Sequence, residues 1–374
     1  MRIRARHYLV DQLVDVIVDH GRIVSIKLSG DATPDITAGW VAPPLFDLQI
    51  NGCDGISFNS PKLTVDNIRH VVALCHRHGI GGFCPTLVTN SFKNSLHGFK
   101  TLAKACGDRN LFRVLPCFHL EGPYISPDDG PRGAHPKEHV RKPDWEEFER
   151  WQDAAGGRIR LVTLAPEVDG ALAFIEKLTV NGVVVAIGHT AASGQQIRDA
   201  ISAGAKLSTH LGNGSHAMLP RHDNYIWEQL AADELWASII CDGHHLPPAL
   251  IKSILRVKTP ARSILTCDAG SLAGLPPGRY TDWGVELEVL PEGKIVVSGT
   301  PYLAGSHAFT DQCVGHVLNL GVANVRDALE MASARPRELL SLPRHRFEVG
   351  QPANLMLFDW EPGAEFRVKQ IIAA

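Results

Sequence analysis

The chain has 374 residues, of which 44% are hydrophobic and 21% charged, and a net charge of −3. Such a composition is ordinary for a soluble globular protein able to bury a sizeable core, and it excludes a basic field for nucleic acid or acidic membrane. The length fits about two domains, or one large barrel with an appendage.

The N-terminal stretch MRIRARHYLVDQLVDVIVDHGRIVSI has no uninterrupted apolar core and no small-residue cleavage site, so no signal peptide is expected. Within it, VDVIVDHGRIVSIKL reads as a β-hairpin turning at His20 and Gly21. From residue 41 onward one theme repeats: a short apolar run rich in β-branched residues ends in polar residues, and a helix-like segment follows. The runs are VAPPLFDLQING, GGFCPTLVTN, FRVLPCFHLEG, IRLVTLAPE, VVVAIGHT, AKLSTHLGN, ASIICDG and SILTCDAG. Between them, VDNIRHVVALCHRHG, SFKNSLHGFKTLAKACG and PALIKSILRV carry apolar residues at three- and four-residue intervals. Strands alternating with helices imply a parallel sheet, and eight of them predict an α/β fold of the closed (β/α)₈ TIM-barrel type. The rival doubly wound sheet lacks any G-x-G-x-x-G or G-x-x-x-x-G-K-[ST] motif beside a strand. Near the C-terminus, GQPANLMLFDW and FRVKQII read as two further strands. Residues 1–43 and 345–374 are therefore expected to pair into one small β-domain, which leaves 44–344 for the barrel. No stretch approaches eighteen uninterrupted apolar residues, so no membrane span is expected.

Eight cysteines, at 53, 75, 84, 106, 117, 241, 267 and 313, form no C-x-x-C pair, and several sit inside apolar runs. Buried free thiols in a reducing cytoplasm account for them. Eighteen histidines are many for this length and hint at metal or proton chemistry.

In a (β/α)₈ barrel, chemistry collects at the C-terminal ends of the strands. Glu121 follows the third predicted strand, His189 ends the fifth, His210 the sixth and Asp268 the eighth. Each alone reads as a hydrogen-bonded rim residue or a helix cap, and so does His119. Together they supply one carboxylate and two imidazoles, a common zinc set that leaves a position for water, with a second carboxylate beside it. A metal there would lower the pKa of that water toward about 7, and Asp268 would take the proton.

The motifs PPLFDLQINGCDG, HLEGPYISPDDGPRGAHP, IGHTAA, STHLGNGSHAMLPR, CDGHHLPP, LTCDAG and YLAGS follow one another across most of the chain. In that order they resemble the N-acetylglucosamine-6-phosphate deacetylase family of the amidohydrolase superfamily. The resemblance implies removal of acetate from the 2-acetamido group of an amino-sugar 6-phosphate. It implies one divalent metal ion, zinc ahead of iron, cobalt or manganese, on Glu121, His189 and His210. Asp268 matches the catalytic aspartate, and His135 of GAHP matches a histidine beside the substrate carbonyl oxygen. Asn213, Arg221 and His245 match positions around the sugar or its phosphate, and Ala134, Gly214 and the Leu303, Ala304 and Gly305 of YLAGS are further expected substrate contacts. In several family members part of the phosphate site comes from the neighbouring subunit, so a homodimer is implied.

Many amidohydrolases place H-x-H at the end of the first strand and bind a second metal there. This chain has Gln49 and Asn51 instead, expected on the substrate side. Amides are poor zinc ligands, so one tightly bound metal is expected. After the sixth strand the family's H-L-x-N-A-M is replaced by HLGNGSHAML, with an extra His216, and RHDNYIWEQL stands where a Gly-rich turn is usual. These departures keep open the galactosamine epimer, an unphosphorylated N-acetyl compound or a cyclic amide as substrate.

Overall fold

The computed structural model describes residues 1–282, 284–300 and 302–373. Eight parallel strands follow one another in chain order: Leu45–Ile50 (β1), Ile80–Val88 (β2), Phe118–Glu121 (β3), Ile159–Leu164 (β4), Val184–Ile187 (β5), Leu207–Ser208 (β6), Trp236–Ile240 (β7) and Ser263–Thr266 (β8). Nearly all of their residues are buried, because helices cover the outer face and side chains fill the interior. That double burial is why the strands read as continuous apolar runs rather than alternating ones. Helices Val65–Arg77, Phe92–Ala105, Trp145–Ala154, Ala171–Val180, Gly194–Ser202, Tyr225–Ala231 and Pro248–Val257 follow the first seven strands, and Thr310–Asn319 follows the eighth after an insertion. Reciprocal caps fix where helices begin: Thr64 pairs with Asn67, and Ser193 with Gln196.

The seam between β8 and β1 is closed by other means than a regular ladder. The hydrogen-bonded sheet runs from β8 round to β1 and stops. Across the gap an isolated bridge pairs Ile50 with Ala269, and the Asn51 N–H donates to the Ala269 carbonyl at 2.9 Å. Below it the fully buried Asp47 carboxylate accepts from the Cys267 N–H at 2.8 Å, from Thr310 Oγ1 at 2.6 Å and from Thr266 Oγ1. Burial pushes this carboxyl up, and its donors oppose the shift.

The barrel interior is layered. Phe46, Leu48, Cys84, Leu161, Trp236 and Ile264 fill the bottom. Higher up, His119 links Thr86 Oγ1 at 3.2 Å to Thr163 Oγ1 at 2.8 Å, and Thr163 meets Thr209 at 2.8 Å. Burial takes the His119 imidazole down to about 4, so it is neutral near pH 7. His119 is thus a hydrogen-bonded core residue beneath the strand ends.

Strands Arg2–His7, Leu13–Asp19, Arg22–Leu28 and Ile36–Ala42 join Leu355–Asp359 and Arg367–Ile372 in a separate six-stranded sheet. The hairpin turns where the sequence places it, with φ of 44° at His20 and 72° at Gly21, the left-handed pair that suits the twist of the flanking strands. A further sheet was not expected: Gly278–Asp282, Val285–Val289, Lys294–Val297 and Leu303–Ser306 form four antiparallel strands between β8 and helix Thr310–Asn319. Its last strand returns to the barrel, where the Ser306 N–H donates to the Asp268 carbonyl at 2.8 Å and the Gly270 N–H to the Ser306 carbonyl at 3.0 Å. All eight cysteines are free and buried. Among the described residues, no helix is long and apolar enough to cross a membrane.

Candidate active site

The strand ends of β3, β5, β6 and β8 bring Glu121, His189, His210 and Asp268 to one cavity of about 330 Å³. His189, His210 and Asp268 all have left-handed backbone, with φ of 52°, 30° and 52°. Non-glycine residues adopt this region at a cost, and they do so here where the chain must turn sharply to aim a side chain across the barrel mouth.

Glu121, His189 and His210 offer ligand atoms that all lie within 4.8 Å of one another, and all three residues are buried. Glu121 Oε1 is 3.2 Å from His189 Nε2 and 3.0 Å from His210 Nε2, and the two imidazole nitrogens are 3.1 Å apart. The other ring nitrogen of His189, Nδ1, donates to the Pro131 carbonyl at 2.8 Å. Nε2 of His189 therefore presents a lone pair to the centre, as second-sphere orientation of a metal ligand requires. A carboxylate oxygen and imidazole lone pairs turned toward one buried point repel each other without a cation between them, so the residues fit a divalent metal. Burial alone would push the Glu121 carboxyl up, but the two imidazoles outweigh it and hold the group well below its usual range.

Asp268 stands beside this triad. Its Oδ1 accepts from Asn51 Nδ2 at 2.7 Å and from Gln49 Nε2 at 2.9 Å, and the same Gln49 nitrogen reaches Glu121 Oε2 at 2.9 Å. Burial and then the Glu121 charge push Asp268 up to about 8, against His210 and Asn51, which pull it down. A cation on the triad would offset this rise and favour the carboxylate that a general base requires. His135 is also buried; its Nδ1 lies 2.7 Å from Thr89 Oγ1, and its ring meets that of His189 edge-on at 4.3 Å. Burial takes His135 down to about 3, so it acts as a neutral donor or acceptor.

The chain is 36% identical over 336 residues to the N-acetylglucosamine-6-phosphate deacetylase of Bos taurus, across 85% of this chain and 79% of the relative. It belongs to the N-acetylglucosamine-6-phosphate deacetylase family. No protein-family model matches it. The N-acetylgalactosamine-6-phosphate deacetylase of Escherichia coli O157:H7 is 30% identical over 348 residues, across 91% and 89% of the two chains. Among solved structures, the N-acetyl-D-glucosamine-6-phosphate deacetylase of Mycobacterium smegmatis in complex with N-acetyl-D-glucosamine-6-phosphate has a TM-score of 0.87 and 29% identity, covering 100% of this chain and 97% of that one. The 5-methylcytosine deaminase of Klebsiella pneumoniae, at a TM-score of 0.60 and 12% identity, shares the fold alone.

Against the deacetylase family pattern, the structure gathers most of the expected residues and leaves two aside. Asn51, Ala134, Asn213, Gly214, His245, Leu303, Ala304 and Gly305 line the same cavity as the triad, Asp268 and His135. Gln49 lies behind that wall and acts through Glu121 and Asp268. Arg221 is exposed on the loop after β6 and is not part of the cavity wall. Two bonds pin the backbone there: Asn224 Nδ2 donates to the Pro220 carbonyl at 2.8 Å, and Trp227 Nε1 to the Arg221 carbonyl at 3.2 Å. The loop of SPDDGPRG lies over the mouth, with Gly130 and Gly133 on the wall and Pro131 on His189.

Residues outside the expected set of ligands and substrate contacts turn out to orient the site. Asp242 accepts from the N–H groups of His244 and His245, each at 2.9 Å, from Ser306 Oγ at 3.0 Å, and pairs with His245 Nδ1 at 2.8 Å. Burial opposes its charge, but His245 and the backbone donors hold the carboxyl well below the usual range. Thr89 orients His135, and Tyr225 orients His216. No spacing rule flags such partners, because they meet only in three dimensions.

Proposed function

We propose that this chain hydrolyses the acetamide of an N-acetylated amino-sugar 6-phosphate, N-acetylglucosamine 6-phosphate first, to the free amine and acetate. The observation that carries this reading is the buried Glu121–His189–His210 triad coupled to Asp268 through Gln49 within one open cavity. A divalent cation on the triad, zinc by the chemistry of its donors, supplies Lewis acidity toward a water and an amide oxygen. Asp268 takes the proton as the water oxygen bonds to the acetyl carbon, and returns it to the nitrogen as the C–N bond breaks. Gln49 and Asn51 occupy Oδ1, which leaves Oδ2 for this proton. With Thr89 donating to Nδ1, His135 presents its Nε2–H to the developing oxyanion, a contact worth about 3 kcal/mol in comparable sites. Asp242 sets the His245 ring against the sugar.

The exposed Arg221, on a loop whose backbone is held by Asn224 and Trp227, supports a homodimer in which this guanidinium reaches the phosphate in the second copy's cavity. The exposed Met218 and Trp227 beside it supply apolar contact area. Residues 1–43 with 345–374 form the supporting domain and 44–344 the catalytic one, and buried free thiols suit the cytoplasm. The galactosamine epimer is the second reading, favoured by the Escherichia coli relative that spans 91% of this chain. The test is acetate release by metal-loaded protein from N-acetylglucosamine 6-phosphate, its galactosamine epimer and unphosphorylated N-acetylglucosamine. Fast release from one phosphorylated sugar is expected; none from any of the three refutes the reading.

A further inference from the structure

The loop after β6 is where this chain departs from its family, and it places an imidazole on the cavity wall. His216 lies two residues beyond Gly214, whose Cβ, if it had one, would stand 2.8 Å from His189 Nδ1. On its other side the backbone of Gly130, from the loop over the mouth, packs against the His216 Cα. His216 is thus clasped between two mouth loops, close to the metal ligands but not one of them.

Its ring is also oriented. The Tyr225 hydroxyl accepts from the His216 N–H at 2.8 Å and lies 3.0 Å from His216 Nδ1. A phenol has one proton. The hydroxyl also bonds the Ser215 side chain; with its proton given to Nδ1, the imidazole keeps its hydrogen on Nε2. Tyr225 is itself buried, at the first turn of a helix capped by Asn224. Among the described residues Nε2 of His216 has no partner, although the rest of the side chain is held in place.

Among the described residues of this chain, the wall of the cavity that takes the sugar phosphate carries no lysine or arginine of its own. Arg221 is exposed and off this wall, its backbone carbonyl held by Trp227 Nε1. The wall does carry the imidazoles of His216 and His245 as donors away from the triad. We propose that His216, positioned by Tyr225, is a specificity-determining residue that donates through Nε2 to the phosphate oxygens of the substrate. Hydrogen bonds to an anion are shorter and stronger than neutral ones, so a fixed donor here adds to discrimination between phosphorylated and unphosphorylated sugar beside any contact from the second copy's Arg221. This assignment rests on the deacetylase reading above.

The experiment compares kcat/KM of the metal-loaded wild type, His216→Ala, His216→Gln and Tyr225→Phe on N-acetylglucosamine 6-phosphate and on N-acetylglucosamine. In His216→Ala the preference for the phosphorylated sugar is expected to fall about tenfold, with the loss in KM rather than kcat. Tyr225→Phe should lower it in the same direction, and His216→Gln, which keeps a donor, should restore part of it. A preference within about twofold of wild type in His216→Ala, or an equal loss on both sugars, overturns the assignment while leaving the deacetylase reading intact. A wild type that releases acetate from neither sugar overturns that reading, and the assignment falls with it.

Discussion

Asn51 Nδ2 lies 2.7 Å from Oδ1 of Asp268, and Gln49 Nε2 reaches the same oxygen at 2.9 Å while also donating to Glu121. Two amides therefore donate here, where an H-x-H pair would present imidazoles. One equivalent of metal per chain is expected by elemental analysis. Gln49→Ala removes the hydrogen bond that orients Glu121 and should weaken metal binding about 10- to 100-fold, read by titration against a chelating indicator.

Asp268→Asn keeps the size and the backbone of the residue but cannot carry a proton between water and amine. Turnover should fall by about 10²- to 10⁴-fold, with metal content and melting temperature close to wild type. Turnover at the wild-type level would remove Asp268 from the reaction.

Gly214→Ala tests the close approach on the cavity wall. Gly214 has φ of +57°, and an added Cβ would stand 2.8 Å from His189 Nδ1. The His189 ring must then shift off the Pro131 carbonyl. Metal affinity and kcat should both drop, while the left-handed backbone itself costs about 1–2 kcal/mol of stability. Metal titration and thermal melting of the variant separate the two effects.

The β-sheet outside the barrel carries an acid-sensitive contact. Asp15 accepts from Arg4 Nε at 2.8 Å and Arg2 Nη1 at 3.0 Å. The hydrogen bond from Arg4 leads in holding its carboxyl down to about 2, from an ordinary 3.8. A depressed carboxyl stabilises the fold above the unfolded value, and that contribution is lost as pH falls from about 4 toward 2. Asp15→Asn should therefore lower the urea midpoint at pH 7, and the gap to wild type should close by about pH 2.

Much of this architecture is legible before any coordinates. The eight apolar runs are legible because strands buried on both faces leave continuous hydrophobic stretches, and the polar residues that end them mark the mouth. Glu121, His189, His210 and Asp268 converge because four strand ends of one barrel must. The inserted sheet was missed, although VELEV alternates and PEGK marks a turn, because a β-hairpin pair has no place in a βα rhythm. The placement of Arg221 was hidden because loop direction depends on the Asn224 and Trp227 bonds, which no local pattern announces. His119 looks the same in sequence as the true mouth histidines. Only the Thr86 and Thr163 hydroxyls on its two nitrogens set it apart.

The six-stranded sheet draws four strands from the first 42 residues and two from residues 355–372. Strand Ile36–Ala42 pairs on one side with Arg2–His7 and on the other with Leu355–Asp359. During synthesis the first partner is present early, and the second emerges only after the whole barrel has been made. Until then one edge of Ile36–Ala42 has unpaired backbone groups, the kind of edge that recruits a second chain. A nascent chain stalled inside the barrel thus carries a half-finished sheet, and release of residues 355–372 is what closes it.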